Sequence, residues 1–295
     1  MSLREGLTIA SLSPAIARAV ARAEHAARLG ALFVDLPYFA SFVEELVRYT
    51  FGLTPRANEW GDITHERAVP FLHALVRRVA RADADATTRD EARAFTLGLA
   101  SHLAIDQALH PLINWLADAE VARTGISHAS AHREVEKFQS VCFQETYFGV
   151  DLMGTAPVRA HLHVAGLDRL ERSAVAQVAI LAMADAFGRS PSIGDVAKWG
   201  RSFVVFSKMV ASPLGRRVAP PAAKEEARPR FLHGSWGSFE SRLDVTIAAS
   251  SRVLEAVGAL IEGPPHELSL DDVRGALTGL LDAGTIDPPG STFVA

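Results

Sequence analysis

The chain has 295 residues, 48% of them hydrophobic and 22% charged, an ordinary globular composition with enough apolar material for a sizeable core. A formal net charge of -4 with no run of Lys or Arg excludes the electrostatic footprint of a duplex nucleic-acid or anionic-membrane binder. The single cysteine, Cys142, excludes an internal disulfide and a thiolate-rich zinc site, so any metal must be held by nitrogen and oxygen.

Helical signals recur along the chain, and runs of alternating strand residues are missing. Ser13-Pro14 reads as a helix start, leading to about Leu29, with Gly30 as its stop. A helix over 38–49 follows, then a loop over 52–64. Thr64 is read as the cap of a helix running to about Ala82. Thr88-Arg89-Asp90-Glu91 is a capping box that opens the longest helix, to about Ala119, with a kink expected at Pro111. Further helices are expected over 130–145, 167–187, 193–211, 239–262 and 270–283. The segment 212–238, rich in Pro, Gly and charge, reads as a long loop or lid, and the tail after 284 as irregular. The expectation is one all-α, multi-helix domain over 1–295. No stretch reaches the roughly 18 apolar residues of a membrane span. Residues 7–17 resemble a signal peptide weakly, but Glu5 precedes them and Pro14 interrupts them, which favours a cytoplasmic location over export.

Inside the longest helix, His102, Asp106 and His110 stand four residues apart, and a second pair at the same spacing, His132 and Glu136, lies on the next helix. Side chains four apart share a helix face. Imidazoles and a carboxylate on a face that should be apolar need a partner to offset their desolvation. A divalent cation is one such partner; an ordinary His/Asp hydrogen bond is the other. With two ions, Asp106 stands where it can bridge, and a phosphoryl group can be held symmetrically between them.

The segment Phe95-Thr-Leu-Gly-Leu-Ala-Ser-His102-Leu-Ala-Ile-Asp106-Gln-Ala-Leu-His110-Pro111, followed by His132-Arg-Glu-Val-Glu136, resembles the zinc-dependent phospholipase C family. Two upstream pieces fit the same resemblance: Gly30-Ala-Leu-Phe-Val-Asp35-Leu-Pro37 and Gly61-Asp-Ile-Thr-His65. The resemblance implies an all-helical phosphodiester hydrolase, a fold and metal site shared with fungal single-strand nucleases. It implies that Asp35, His65, His102 and Asp106 surround one zinc, and that His110, His132 and Glu136 surround another. In the family a third zinc is held by the N-terminal residue and an early His; here no His precedes His25, so the chain departs from that pattern. Two zinc ions against Asp35, Asp106 and Glu136 leave a formal surplus of about +1, suited to an anionic phosphodiester.

The expected function is phosphodiester hydrolysis of a small molecule or phospholipid by a zinc-activated water, which Asp35 orients or deprotonates. A nuclease or phosphomonoesterase on the same site is the alternative among enzymes, and a helical protein with a structural or vestigial metal site the alternative outside them. A helical class built on a His-Asp dipeptide is disfavoured, because no such dipeptide occurs. His128 is read as a solvent-exposed helix start, His161 and His163 as loop residues, and His73 as a packing residue. Tyr38, Phe39, Trp60 and Trp115 are read either as core or as an apolar entrance. Arg216, Arg217, Lys224, Arg228 and Arg230 are read as a solvated charged loop, with phosphate binding as the other option.

Overall fold

The computed structural model describes residues 6–8, 10–51, 53, 58–81, 84–149, 151–264 and 266–278. Helices dominate them, and strand is confined to a hairpin in which His233–Gly234 pairs antiparallel with Gly237–Ser238. The fold is all-α.

The Ser13 side chain accepts from the Ile16 amide and caps α1 (Pro14–Arg22). The chain breaks at Ala23, and α2 (Glu24–Phe33) runs through Gly30 instead of stopping there. Gly30 serves close approach: a Cβ there would lie 1.9 Å from the Phe95 carbonyl oxygen, and one at Gly98 would lie 1.9 Å from that of Ala27. The two glycines therefore let backbones touch where side chains would hold them apart. A 3-10 turn (Leu36–Phe39) and α3 (Phe42–Thr50) replace the single helix expected over 38–49.

The expected loop over 52–64 contains most of α4 (Glu59–Glu66), capped by Asn58, whose side chain accepts from the Gly61 amide. Thr64 is no cap; its hydroxyl lies within α4 and donates to the Trp60 and Gly61 carbonyls. Then comes α5 (Ala68–Arg81). The longest helix, α6 (Ala86–Thr124), has 39 residues. Its cap is Asp85, which accepts from the Thr87 and Thr88 amides, so Thr88 belongs to the first turn. It continues through Pro111 and ends at Gly125, whose φ of 74° suits the left-handed terminus.

Ser127 caps α7 (His128–Phe148), which begins two residues before the expected Ser130. The helix α8 (Ala156–Leu162) carries His161, expected in a loop. The expected helix over 167–187 divides into a 3-10 turn (Leu167–Arg172) and α9 (Ala174–Phe187). Ser192 and Asp195 form a capping box on α10 (Ile193–Val210). The segment 212–238 is not a long loop: it holds α11 (Gly215–Val218), α12 (Pro221–Phe231) and the hairpin. Pro221 starts α12 at a position whose amide needs no partner. Last come α13 (Phe239–Glu262) and α14 (Leu270–Thr278). The tail expected to be irregular after 284 lies outside the described residues.

Two apolar clusters organise these helices, and α6 runs through both. Its N-terminal half packs Phe95, Leu97, Leu99 and Leu103 with Phe33, Phe71, Trp199 and Leu254. Its C-terminal half packs Leu109, Leu112, Ile113 and Leu116 with Val135, Phe138, Phe231 and Trp236. Asp106 sits in the short interval between them. The expected solvated charge on 212–238 is also largely spent internally. Lys224 Nζ lies 2.8 Å from Glu145 Oε1 and 3.0 Å from Asp151 Oδ1, Arg228 reaches Glu145 and Thr146, and Arg230 pairs with Glu120 and Glu226.

Candidate metal centre

Three elements distant in sequence bring the first group of donors together. Asp35 lies two residues past the end of α2, at the entry to the 3-10 turn, His65 is the penultimate residue of α4, and His102 faces them from α6. One ligand atom from each lies within 4.8 Å of the others. The His65 Nδ1–H donates to the Gly61 carbonyl at 2.8 Å, one turn earlier, which turns Nε2 toward Asp35 and Asp106 at 3.6 and 3.3 Å. Gly61 is required because the Tyr38 ring lies on it; a Cβ there would meet Tyr38 Cζ at 2.5 Å.

His110, His132 and Glu136 form a second group by the same distance measure. His132 Nε2 lies 3.2 Å from Glu136 Oε1, one turn along α7, and His110 Nε2 lies 3.7 Å from the same oxygen. The His132 Nδ1–H donates to Asn114 Oδ1 on α6 at 3.0 Å. Asn114 continues the 102, 106, 110 spacing by one more turn, but its neutral amide gives no metal-ligand signal in the sequence.

Asp106 stands between the groups with its two oxygens divided. Oδ2 lies 2.9 Å from His102 Nε2 and 3.3 Å from His65 Nε2, while Oδ1 lies 3.9 Å from His110 Nε2. The electrostatics follow from this crowding. Burial lowers the His65 pKa, but hydrogen bonds to Asp106, Asp35 and the Gly61 carbonyl outweigh it and raise the value to about 10. At His102 burial is likewise overcome, by the charges of Asp106 and Asp35, and the value rises to about 9. Burial raises Asp106, yet its imidazole neighbours hold it well below the usual carboxylate range.

The donor set fits a metal. His102 Nε2 is buried and, although Asp106 Oδ2 lies 2.9 Å away, makes no hydrogen bond of acceptable geometry. Such an atom needs a partner, and its neighbours are further nitrogen and oxygen donors of the kind zinc takes in the absence of thiolate. The Nδ1–H bonds of His65 and His132 fix the tautomer that leaves Nε2 as the donor.

The remaining residues separate cleanly. His128 is exposed, pairs with Asp118 at 3.5 Å and belongs to neither group, as expected of an exposed helix start. His25 faces Glu91 at 3.4 Å and also belongs to neither. His73 Nε2 contacts the Leu268 carbonyl, a packing role. Of the aromatic candidates, Tyr38 lies beside the donors, its ring 5.7 Å from that of His65 and its hydroxyl donating to Asp62 Oδ1. Burial and Asp62 raise the Tyr38 pKa. Phe39 packs on Phe203 and Phe206, Trp60 lies under Arg189, and Trp115 joins the second core.

No curated protein and no solved structure matches the chain significantly. A family model described as zinc-dependent phospholipase C matches residues 7–181, more than half of the chain and the whole of both donor groups, and the chain belongs to that family.

Proposed function

We propose that the protein is a zinc-dependent phosphodiester hydrolase of the phospholipase C type, acting on a phospholipid or a small phosphodiester. Asp35, His65, His102 and Asp106 would hold one zinc, and His110, His132 and Glu136 a second. The observation that carries this reading is the division of Asp106, with one oxygen toward each donor group. A carboxylate so placed would serve two cation sites at once, and a two-ion centre would suit in-line displacement at phosphorus.

Bound zinc supplies Lewis acidity toward a phosphoryl oxygen and lowers the pKa of water. The chain's own contribution is arrangement. Asp35 is the more open carboxylate of the first group, its side chain 40% exposed against 23% for Asp106, and it is placed to orient or accept a proton from attacking water. Asp106, held ionised, cannot serve as that proton acceptor and at once satisfy three imidazoles; its role is to bind. Three carboxylates against two divalent ions leave about one positive charge for the phosphodiester anion. Both apolar clusters run along α6, which supports a single helical hydrolase domain. Among the described residues no helix is long and apolar enough to cross a membrane.

Elemental analysis of the purified protein, followed by assays on a chromogenic phosphodiester, phosphatidylcholine vesicles, a phosphomonoester and single-stranded nucleic acid, tests the reading. About two zinc per chain and chelator-sensitive turnover of phosphodiester or phospholipid are expected. Turnover confined to nucleic acid or to the monoester would move the assignment to those chemistries. Retained zinc without turnover on any of them would reduce the centre to a structural one.

A further inference from the structure

Asn114 stands one helical turn beyond His110 on α6, and its Oδ1 accepts the His132 Nδ1–H across to α7 at 3.0 Å. The bond leaves His132 Nε2 facing Glu136 Oε1 at 3.2 Å and sets the imidazole edge-on to His110, with ring centroids 5.3 Å apart. The corresponding bond in the first group is made by the Gly61 backbone carbonyl to His65. One imidazole is thus oriented by the main chain within its own helix, and the other by a side chain from a different helix.

We propose that Asn114 is a positioning residue for the second cation, and that its neutrality is part of the role. The inference rests on the reading of His132 as a zinc ligand. An outer partner fixes the tautomer and rotation of a ligating imidazole, and its removal typically weakens metal binding about 10- to 100-fold. A carboxylate at position 114 would accept the same hydrogen bond and make the imidazole more basic. It would also cancel the surplus of about one positive charge that two divalent ions leave against Asp35, Asp106 and Glu136. An amide oxygen orients His132 without that loss. Asn114 is exposed, and the bond to His132 is its one side-chain hydrogen bond among the described residues, so its replacement strikes the imidazole and not the core.

The test is chelator competition for zinc on the full chain, wild type against Asn114→Ala and Asn114→Asp, followed by calorimetric titration of the zinc-loaded proteins with inorganic phosphate. Asn114→Ala is expected to keep one zinc at wild-type affinity and to bind the other about 10- to 100-fold more weakly. Asn114→Asp is expected to restore the second zinc while binding phosphate several-fold more weakly. Wild-type affinity for both ions in Asn114→Ala would overturn the positioning role. If Asn114→Ala fails to fold, Asn114→Asp decides alone, and unchanged phosphate binding in it would overturn the argument from charge. Wild-type protein that binds two zinc ions and hydrolyses no phosphoester would sink the hydrolase reading and leave this inference to the zinc titrations.

Discussion

The two donor groups are made by opposite means. Asp35, His65 and His102 come from three elements that meet only through tertiary packing, α2 against α6 and α4 against the 3-10 turn and α5, and the His102 side chain is only 15% exposed. His110, His132 and Glu136 come from two consecutive helices joined through Gly125 and the Ser127 cap, and their side chains are 22% to 41% exposed. The first group is a product of tertiary packing, the second of one helix-loop-helix connection. Lesions in packing should therefore empty the first group, local lesions in α7 the second, and only Asp106 should bear on both.

Asp106 gives the largest effect. Asp106→Asn keeps size and loses the charge facing three imidazoles, so both ions should bind weakly and phosphoester turnover should fall at least about 100-fold. Elemental analysis and the phosphodiester assay read it together, and a variant still holding one zinc tightly would show that the groups are independent. Lys224→Met follows in size. Lys224 and Glu145 are both nearly buried, with side chains 10% and 7% exposed, and removing one partner strands the other. Arg228 still reaches Glu145, which places the cost near the lower end for a broken buried pair, about 3 kcal/mol in denaturant unfolding. Unchanged stability would mean that the contact between α12 and α7 carries little of the second core.

Gly98→Ala sharpens the contrast directly. A Cβ there would stand 1.9 Å from the Ala27 carbonyl oxygen, so α2 must move away from α6 at a cost of about 1–3 kcal/mol. The displacement carries Asp35 with α2 and leaves α7 untouched. In an otherwise wild-type chain one zinc should become labile to chelator; in a His132→Ala background the remaining zinc should be the labile one. Retention of that zinc in the double variant would break the proposed dependence of the first group on packing.

The same contrast decides what could be read from the sequence. His102, Asp106, His110, His132 and Glu136 announce themselves because helical periodicity converts spacing into a shared face. Asp35 and His65 carry no such period, since the contact between them is tertiary, and only family resemblance picks them out. Asn114 lay on the visible spacing but is not a metal-ligand type, so a search for ligands passes it over. Gly30 reads as a helix stop because a lone glycine usually marks one, whereas here it serves close approach to Phe95. The composition of 212–238 suggests a solvated loop because nothing local reveals that Glu145, Asp151 and Glu120 wait to neutralise its cations. Asp85 prevails over Thr88 as the cap of α6 by accepting two backbone amides as well as the Thr88 hydroxyl.

The smallest predicted effect concerns pH and the support of the second region. Burial lowers the Lys224 pKa, but hydrogen bonds to Glu145 and Asp151 outweigh it and leave the value raised. A raised folded pKa stabilises fully below the unfolded value of about 10.4 and loses that contribution as pH climbs through the folded value. The Asp151 carboxyl is held below its usual range, first by the hydrogen bond from Lys224. Its contribution is present above the unfolded value of about 3.9 and is lost as pH falls through the folded one. Asp151 is half exposed, so solvent screening makes the acid limb the weaker of the two. The difference in unfolding midpoint between wild type and Lys224→Met should thus be flat across neutral pH, shrink clearly above about pH 10.4 and shrink slightly below about pH 4. A difference that stayed constant through the alkaline limb would mean that Lys224 supports α7 through packing of its methylene chain, and that charge at this contact adds nothing.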